Sequence, residues 1–210
     1  MSEAEPGNPQ ADLGDRSARA STSSDEELSD ARLIARVQGG DTVAFGHLVD
    51  RHKDAMVNYL TKLTGSREEA EDYAQEAFLR LYERAASYRE RGYFKAYLYR
   101  IATNLVRSAE RRRKRWRVVH SLISTNGHHA EPRQQQRVLR GEIGGHLRQA
   151  VADLPLHYRL PLVLYEVDEW PYRRIAEFLG CREGTVKSRI HRGRNMIRER
   201  LEPYVNGGTP

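Results

Sequence analysis

The sequence predicts an all-α protein: two small helical domains joined by a flexible linker, the C-terminal one containing a helix-turn-helix. Three observations predict it. Apolar residues recur at spacings of three and four through residues 30–117 and again through 138–204, the period of a helix face. Between these blocks, residues 118–137 are rich in Ser, Thr, Asn, Gly, Pro and Gln without any period, as linkers are. Finally, Pro171–Leu201 sets a short amphipathic stretch, a glycine and a longer amphipathic stretch in succession, which describes a helix-turn-helix.

Composition narrows the classes. The 210-residue chain carries a formal charge of +6, but unevenly. Residues 1–30 hold eight acids and two bases, a net of −6, so the remainder carries +12. A basic body points to a polyanionic partner. The single cysteine, Cys181, excludes an internal disulfide and gives no support to a cysteine-based metal site. No apolar run approaches the ~18 residues of a membrane span. The acidic N-terminus has no apolar segment, so no signal peptide is expected and a cytoplasmic location is the default.

Residues 1–29 form an acidic tail in which residues 1–26 lack any aromatic, Val or Ile. Such a stretch cannot bury enough apolar surface to offset chain entropy, and disorder is expected. Leu33, Ile34 and Val37 then begin a short helix ending at Gly39-Gly40. Asp41 is the expected N-cap of the next helix, whose face is Phe45, Leu48, Val49, His52, Met56, Val57, Leu60 and Leu63, closed by Gly65. Ser66-Arg67-Glu68-Glu69 has capping-box spacing. The third helix turns Ala70, Tyr73, Ala74, Ala77, Phe78, Leu81 and Tyr82 to one side and Asp72, Gln75 and Glu76 to the other. Asp72 and Glu76, four apart, lie side by side. They read either as ordinary surface acids or as a dock for a basic partner.

Ser87–Tyr93 is a polar turn with aromatics at both ends. For Tyr88 and Tyr93, packing and base stacking are both open readings. The fourth helix is expected over Phe94–Arg115, with Phe94, Tyr97, Leu98, Ile101, Ala102 and Leu105 inward. Its end is strongly basic, with Trp116 among Arg111 to Arg117, a composition suited to single-stranded DNA. His128-His129 in the linker has no further ligand at metal spacing. A helix over Val138–Asp153 follows, broken by Leu154-Pro155. The next apolar helix is Tyr158–Val167, in which Pro161 is tolerable only near the first turn. Asp168–Pro171 turns into the helix-turn-helix, where Ile175, Ala176, Phe178 and Leu179 face inward before Gly180. Val186, Ile190, Ile197 and Leu201 continue the stripe, while the opposite face carries Arg182, Lys187, Arg189, Arg192, Arg194, Arg198 and Arg200. A packed amphipathic helix explains the stripe but not a cationic outer face. DNA binding explains both, since the second helix of this motif enters the major groove. Residues 205–210 read as a disordered tail.

With these residues in view, the chain resembles a bacterial RNA polymerase sigma factor of the extracytoplasmic-function group, which keeps only regions 2 and 4 of the sigma-70 family. The wording that carries the resemblance is Leu154-Pro155, YRLPLVLYEVDEW, IAEFLG and GTVKSRIHRGR in the second block, and EDYAQEAFLRLYER with FKAYLYRIATNLVRSAERRRKR in the first. The resemblance implies that Asp72, Gln75 and Glu76 bind core RNA polymerase. It implies that Tyr88, Arg89, Tyr93, Lys95, Asn104 and Arg107 serve the single-stranded minus-10 element. Lys187, Ser188, His191 and Arg192 would read minus-35 bases, while Thr185, Arg189 and Arg194 would hold phosphate, which positions rather than specifies. Promoter DNA, core polymerase and an anti-sigma factor are the implied partners. No cofactor, metal or catalytic residue is implied, and no enzyme activity is expected. Two departures stand out: Tyr97 where the family commonly has Trp, and Gly193 where it usually has Ala. The alternative reading is a stand-alone helix-turn-helix regulator that never engages polymerase. It leaves the acidic face and the basic fourth helix without a purpose.

Overall fold

The computed structural model describes residues 29–89, 92–123 and 143–205. Residues 1–28 and 206–210 of the expected tails, residues 124–137 of the linker with His128-His129, and residues 138–142 of the fifth expected helix lie outside the described residues. Among those described, the secondary structure is helical: α1 (Asp30–Gln38), α2 (Thr42–Thr64), α3 (Arg67–Arg84), α4 (Phe94–Ile123), α5 (Ile143–Ala152), α6 (Leu156–Glu166), α7 (Tyr172–Leu179) and α8 (Glu183–Val205), with one 3-10 turn at Ala85–Ser87.

Local chemistry sets the helix ends. The Asp41 carboxylate accepts from the Val43 and Ala44 amides at 2.9 and 3.0 Å, satisfying two of the amides a helix start leaves open. Ser66 accepts from the Glu69 amide at 3.3 Å. Gly65 ends α2 at φ 78°, a left-handed conformation that favours glycine. It is doubly constrained, because a Cβ there would stand 2.7 Å from the Ala152 Cβ on α5.

The first four helices bury Leu33, Ile34, Leu48, Met56, Leu60, Leu63, Leu81 and Leu98, with the small Ala70, Ala74 and Ala77 letting α3 approach its neighbours. Tyr59 and Thr103 share a buried hydroxyl hydrogen bond of 2.8 Å. The last four helices close over Leu154, Leu160, Leu164, Trp170, Ile175, Phe178, Val186 and Ile190. Glu169, at φ 53°, takes the turn between α6 and α7 and delivers Trp170 inward.

The two regions pack on each other. Arg159 on α6 is buried and crosses to the first region, donating to the Leu63 carbonyl and pairing with Glu110 on α4 at 2.5 Å. Burial pushes its guanidinium down from the ordinary value, against the pull of Glu110. Tyr99 donates to Asp168 at 2.8 Å and stacks on Trp170 at 5.7 Å. Lys95 sits 3.4 Å from the same carboxylate, and Arg100 lies over the Phe178 ring.

Several expectations need correction. Helix α4 does not stop near Arg115 but continues to Ile123, into the stretch read as linker. Residues 116–123 contain neither Gly nor Pro, so nothing in them stops the helix. Helix α8 likewise reaches Val205, one residue into the expected tail. Pro161 lies inside α6 rather than in its first turn, because the helix begins earlier, at Leu156. Tyr82, expected inward, is 44% exposed, its ring tilted against Phe45 at 4.9 Å. Tyr99, out of phase with the α4 stripe, is fully buried because the second region covers it.

Candidate nucleic-acid and polymerase interface

Two faces carry the candidate residues. The first is on α8. Its buried stripe of Val186 and Ile190 leaves Lys187, Ser188, His191 and Arg192 all exposed, within two turns of one another near the helix start. Helix α7 ends at Gly180, left-handed at φ 66°, and this turn aims α8 outward. The Ser188 hydroxyl donates back to the Thr185 carbonyl at 3.0 Å, and Lys187 lies over the Tyr172 ring at 5.5 Å. His191 and Asn195 are in contact at 3.4 Å.

The residues assigned to phosphate are placed differently. Thr185 and Arg189 are half-buried. Arg194 is held by Glu166 through two donors at 2.8 and 2.5 Å, a bond that raises its pKa further. Arg200 pairs with Asp153. The basic face of α8 is thus partly neutralised by acids of its own region, while the four base-reading candidates carry no ion pair among the described residues.

The minus-10 candidates divide. Tyr88 is half-buried against Tyr97 at 4.6 Å and edge-on to Phe94 at 6.0 Å, so its ring supports the turn. Tyr93 is 63% exposed and free to stack. Arg89 and Asn104 are exposed, and Glu90 and Arg91 of the same turn lie outside the described residues. Lys95 is engaged with Asp168, and Arg107 is half-buried at the junction of the regions. Beyond them, α4 extends as a cationic rod in which Trp116 is 67% exposed.

The second face is on α3. Asp72 and Gln75 are exposed, and Glu76 is half-buried and bonded to Arg80 at 2.7 Å. Leu79 was not singled out from sequence, yet it is 58% exposed in the middle of this acidic stripe. The signal was the spacing 72, 76, 79, 83, which sets all four on one helical face. A large exposed apolar residue rimmed by acids suits a partner surface. Among the described residues no cluster of His, Cys, Asp or Glu could hold a metal ion. No described helix is long and apolar enough to cross a membrane.

Comparisons with known proteins bear on both faces. The family described as Sigma-70 region 2 matches residues 48–117, and that described as Sigma-70, region 4 matches 145–197. The chain is 35% identical over 187 residues to the ECF RNA polymerase sigma factor SigW of Bacillus subtilis, covering 83% of this chain and 98% of that protein. It is 32% identical over 191 residues to the ECF RNA polymerase sigma-E factor of Escherichia coli K12, covering 86% and 98%. Among solved structures, CnrH in complex with the cytosolic domain of CnrY superposes with a TM-score of 0.59 at 22% identity, over 82% of this chain and 97% of that one. The sigma factor RpoE bound to the anti-sigma factor NepR from Bartonella quintana gives 0.59 at 23%, over 75% and 96%. The likeness to the solved structures is one of fold; the family follows from the region matches and the sequence relatives. The chain belongs to the extracytoplasmic-function group of sigma-70-family RNA polymerase sigma factors.

Proposed function

We propose that this sigma factor docks on core RNA polymerase through the α3 face of Asp72, Gln75, Glu76 and Leu79, and reads promoters with α8 and the start of α4. Residues 30–117 and 138–204 act as the two working regions, joined through the segment after α4. Lys187, Ser188, His191 and Arg192 contact minus-35 base edges, while Arg189 and Arg194 meet phosphate. Tyr93, Arg89 and Asn104 face the opened minus-10 strand, where a stacked ring stabilises an unpaired base by about 1–3 kcal/mol. Tyr88 contributes by bracing the turn rather than by stacking. The protein has no reaction of its own; it works inside the cell, where polymerase and DNA are. An anti-sigma protein that covers both faces would silence it.

The observation that carries this reading is the joint exposure of four base-reading candidates on one face of α8, whose other face is core. A stand-alone regulator would need that face but not the acidic stripe with an exposed leucine on α3. The test is run-off transcription with purified core polymerase and templates randomised at both promoter elements. Transcripts from a defined sequence, dependent on this protein, are expected. Promoter binding without polymerase, and no transcripts with it, would instead mark a stand-alone regulator.

A further inference from the structure

The junction between the regions holds a cleft of about 320 Å³. Arg107 lines it from α4, Arg189 from α8 and His157 from the start of α6, over an apolar floor that includes Leu160 and Pro161. Both arginines are half-buried, and neither has an ion-pair or hydrogen-bond partner among the described residues. The acid at the rim, Glu110, is already bonded to Arg159. Two half-buried arginines from different regions therefore face one cavity whose single lining carboxylate, Glu110, is already engaged by Arg159. Like charges so placed repel, and a ligand carrying negative charge removes the repulsion. Guanidinium forks match the oxygens of phosphate in paired hydrogen bonds. Pro161 adds a further feature. It has no amide hydrogen, so the His157 carbonyl lacks the donor a helix would supply four residues on. The volume is at the lower end of small-molecule pockets, which run from about 300 to 1,000 Å³.

We propose that this cleft binds a small organic phosphate, a nucleoside monophosphate in size and polarity, and that the bound ligand holds the two regions together. The phosphate sits between Arg107 and Arg189 and the apolar portion lies over Leu160 and Pro161. A ligand that binds only the packed form stabilises that form by mass action. It also occupies two cations assigned to DNA, so occupancy withholds the factor from promoters.

The test is calorimetric titration of the full chain with AMP, adenosine and inorganic phosphate at fixed ionic strength. Saturable one-to-one binding of AMP is expected, with adenosine and inorganic phosphate each at least tenfold weaker. Arg107→Gln and Arg189→Gln should each weaken AMP at least tenfold. Both should keep or raise the thermal midpoint, because each removes an uncompensated cation. Arg112→Gln, exposed on the same helix, should leave AMP affinity unchanged. Absence of saturable AMP binding overturns the proposal. So does dependence on only one of the two arginines, or equal loss in Arg112→Gln, which would mark a diffuse electrostatic effect. Inorganic phosphate binding as tightly as AMP would refute the organic ligand. A short random duplex should compete with AMP, since both need Arg107 and Arg189; absence of competition would overturn the claim that occupancy withholds the factor from DNA. No arm contains polymerase or a promoter, so the result stands apart from the transcription assay.

Discussion

Replacing Arg159 with methionine probes the junction most directly. The side chain is 8% exposed and its partner Glu110 is 33% exposed. Removing one member of a buried ion pair destabilises by about 3–5 kcal/mol, because the other charge is left without a partner. Water reaches part of Glu110, which places the loss near the lower end, at about 3 kcal/mol. The Leu63 carbonyl also loses its donor, a further ~1 kcal/mol where water replaces the bond poorly. Methionine keeps much of the apolar stem, so the loss is electrostatic rather than a cavity. Where the loss falls matters more than its size. Arg159 belongs to α6, whereas Leu63 and Glu110 belong to α2 and α4, so the energy couples the regions instead of building either core. About 3 kcal/mol weakens that coupling by roughly two orders of magnitude, at 1.4 kcal/mol per tenfold. Scanning calorimetry should show one transition for the parent chain and two separated transitions for Arg159→Met. Adding Glu110→Met should restore part of the coupling, since the orphaned charge is then gone. A single transition within about one degree of the parent midpoint would refute the reasoning, as would a double variant less coupled than Arg159→Met alone.

Gly193 lies mid-helix in α8, and a Cβ there would meet carbons of Leu154, Tyr158 and Leu162 at 3.7 Å, ordinary contact distance. Gly193→Ala should therefore stabilise by about 1 kcal/mol through helix propensity, raising the midpoint by roughly 2–4 °C in thermal denaturation. Leu79→Ser should weaken binding to core polymerase by about tenfold in a fluorescence titration while leaving the midpoint unchanged, since so exposed a leucine adds little to the fold. Asp30 is partly buried, which opposes ionisation, but bonds from His52 and Arg51 at 3.0 and 2.9 Å hold its carboxyl below the ordinary 3.8. A depressed pKa gives stability that is full above pH 3.8 and is lost as pH falls through the folded value. Asp30→Asn should thus lower stability at neutral pH and flatten that acid limb in urea titrations, with the two proteins converging at low pH.

What the sequence made legible was local. Asp41, Ser66, Gly65 and Gly180 were readable as caps because capping bonds span three or four residues and leave their types at fixed offsets. The inward faces of α1 and α7 followed from period alone, and so did most of that of α2, although the buried Ala44 and Tyr59 lie off its expected stripe. What escaped was what one region does to the other. Tyr99 falls off the α4 stripe, and only Trp170 and Asp168, brought from a distant turn, explain its burial. Arg159 is a cation within the otherwise apolar YRLPLVL, a hint of a buried partner, but no local rule points to Glu110 or Leu63. Tyr82 was misplaced for the opposite reason: its period fits, yet only the Phe45 ring of α2 comes against it and leaves it 44% exposed. Of the candidate site, the exposure of Lys187, Ser188, His191 and Arg192 was legible, because Val186 and Ile190 fix which side is core.

The residues assigned to DNA therefore fall into two physical states in the free protein. Lys187, Ser188, His191, Arg192, Tyr93 and Asn104 are exposed and available. Lys95, Arg107, Arg189 and Arg194 are not: Lys95 is tied to Asp168, Arg194 to Glu166, and the other two face the junction cleft. The first state needs only an approaching duplex. The second needs DNA phosphate to displace carboxylates and the regions to separate, and that exchange costs interactions the free protein already has. Binding at low salt should then be weaker, and the salt dependence shallower, for the parent chain than for one carrying Asp168→Asn and Glu166→Gln, since in the latter fewer internal pairs compete with phosphate at low salt. Equal affinities and equal salt slopes would mean that these acids do not restrain the basic surface.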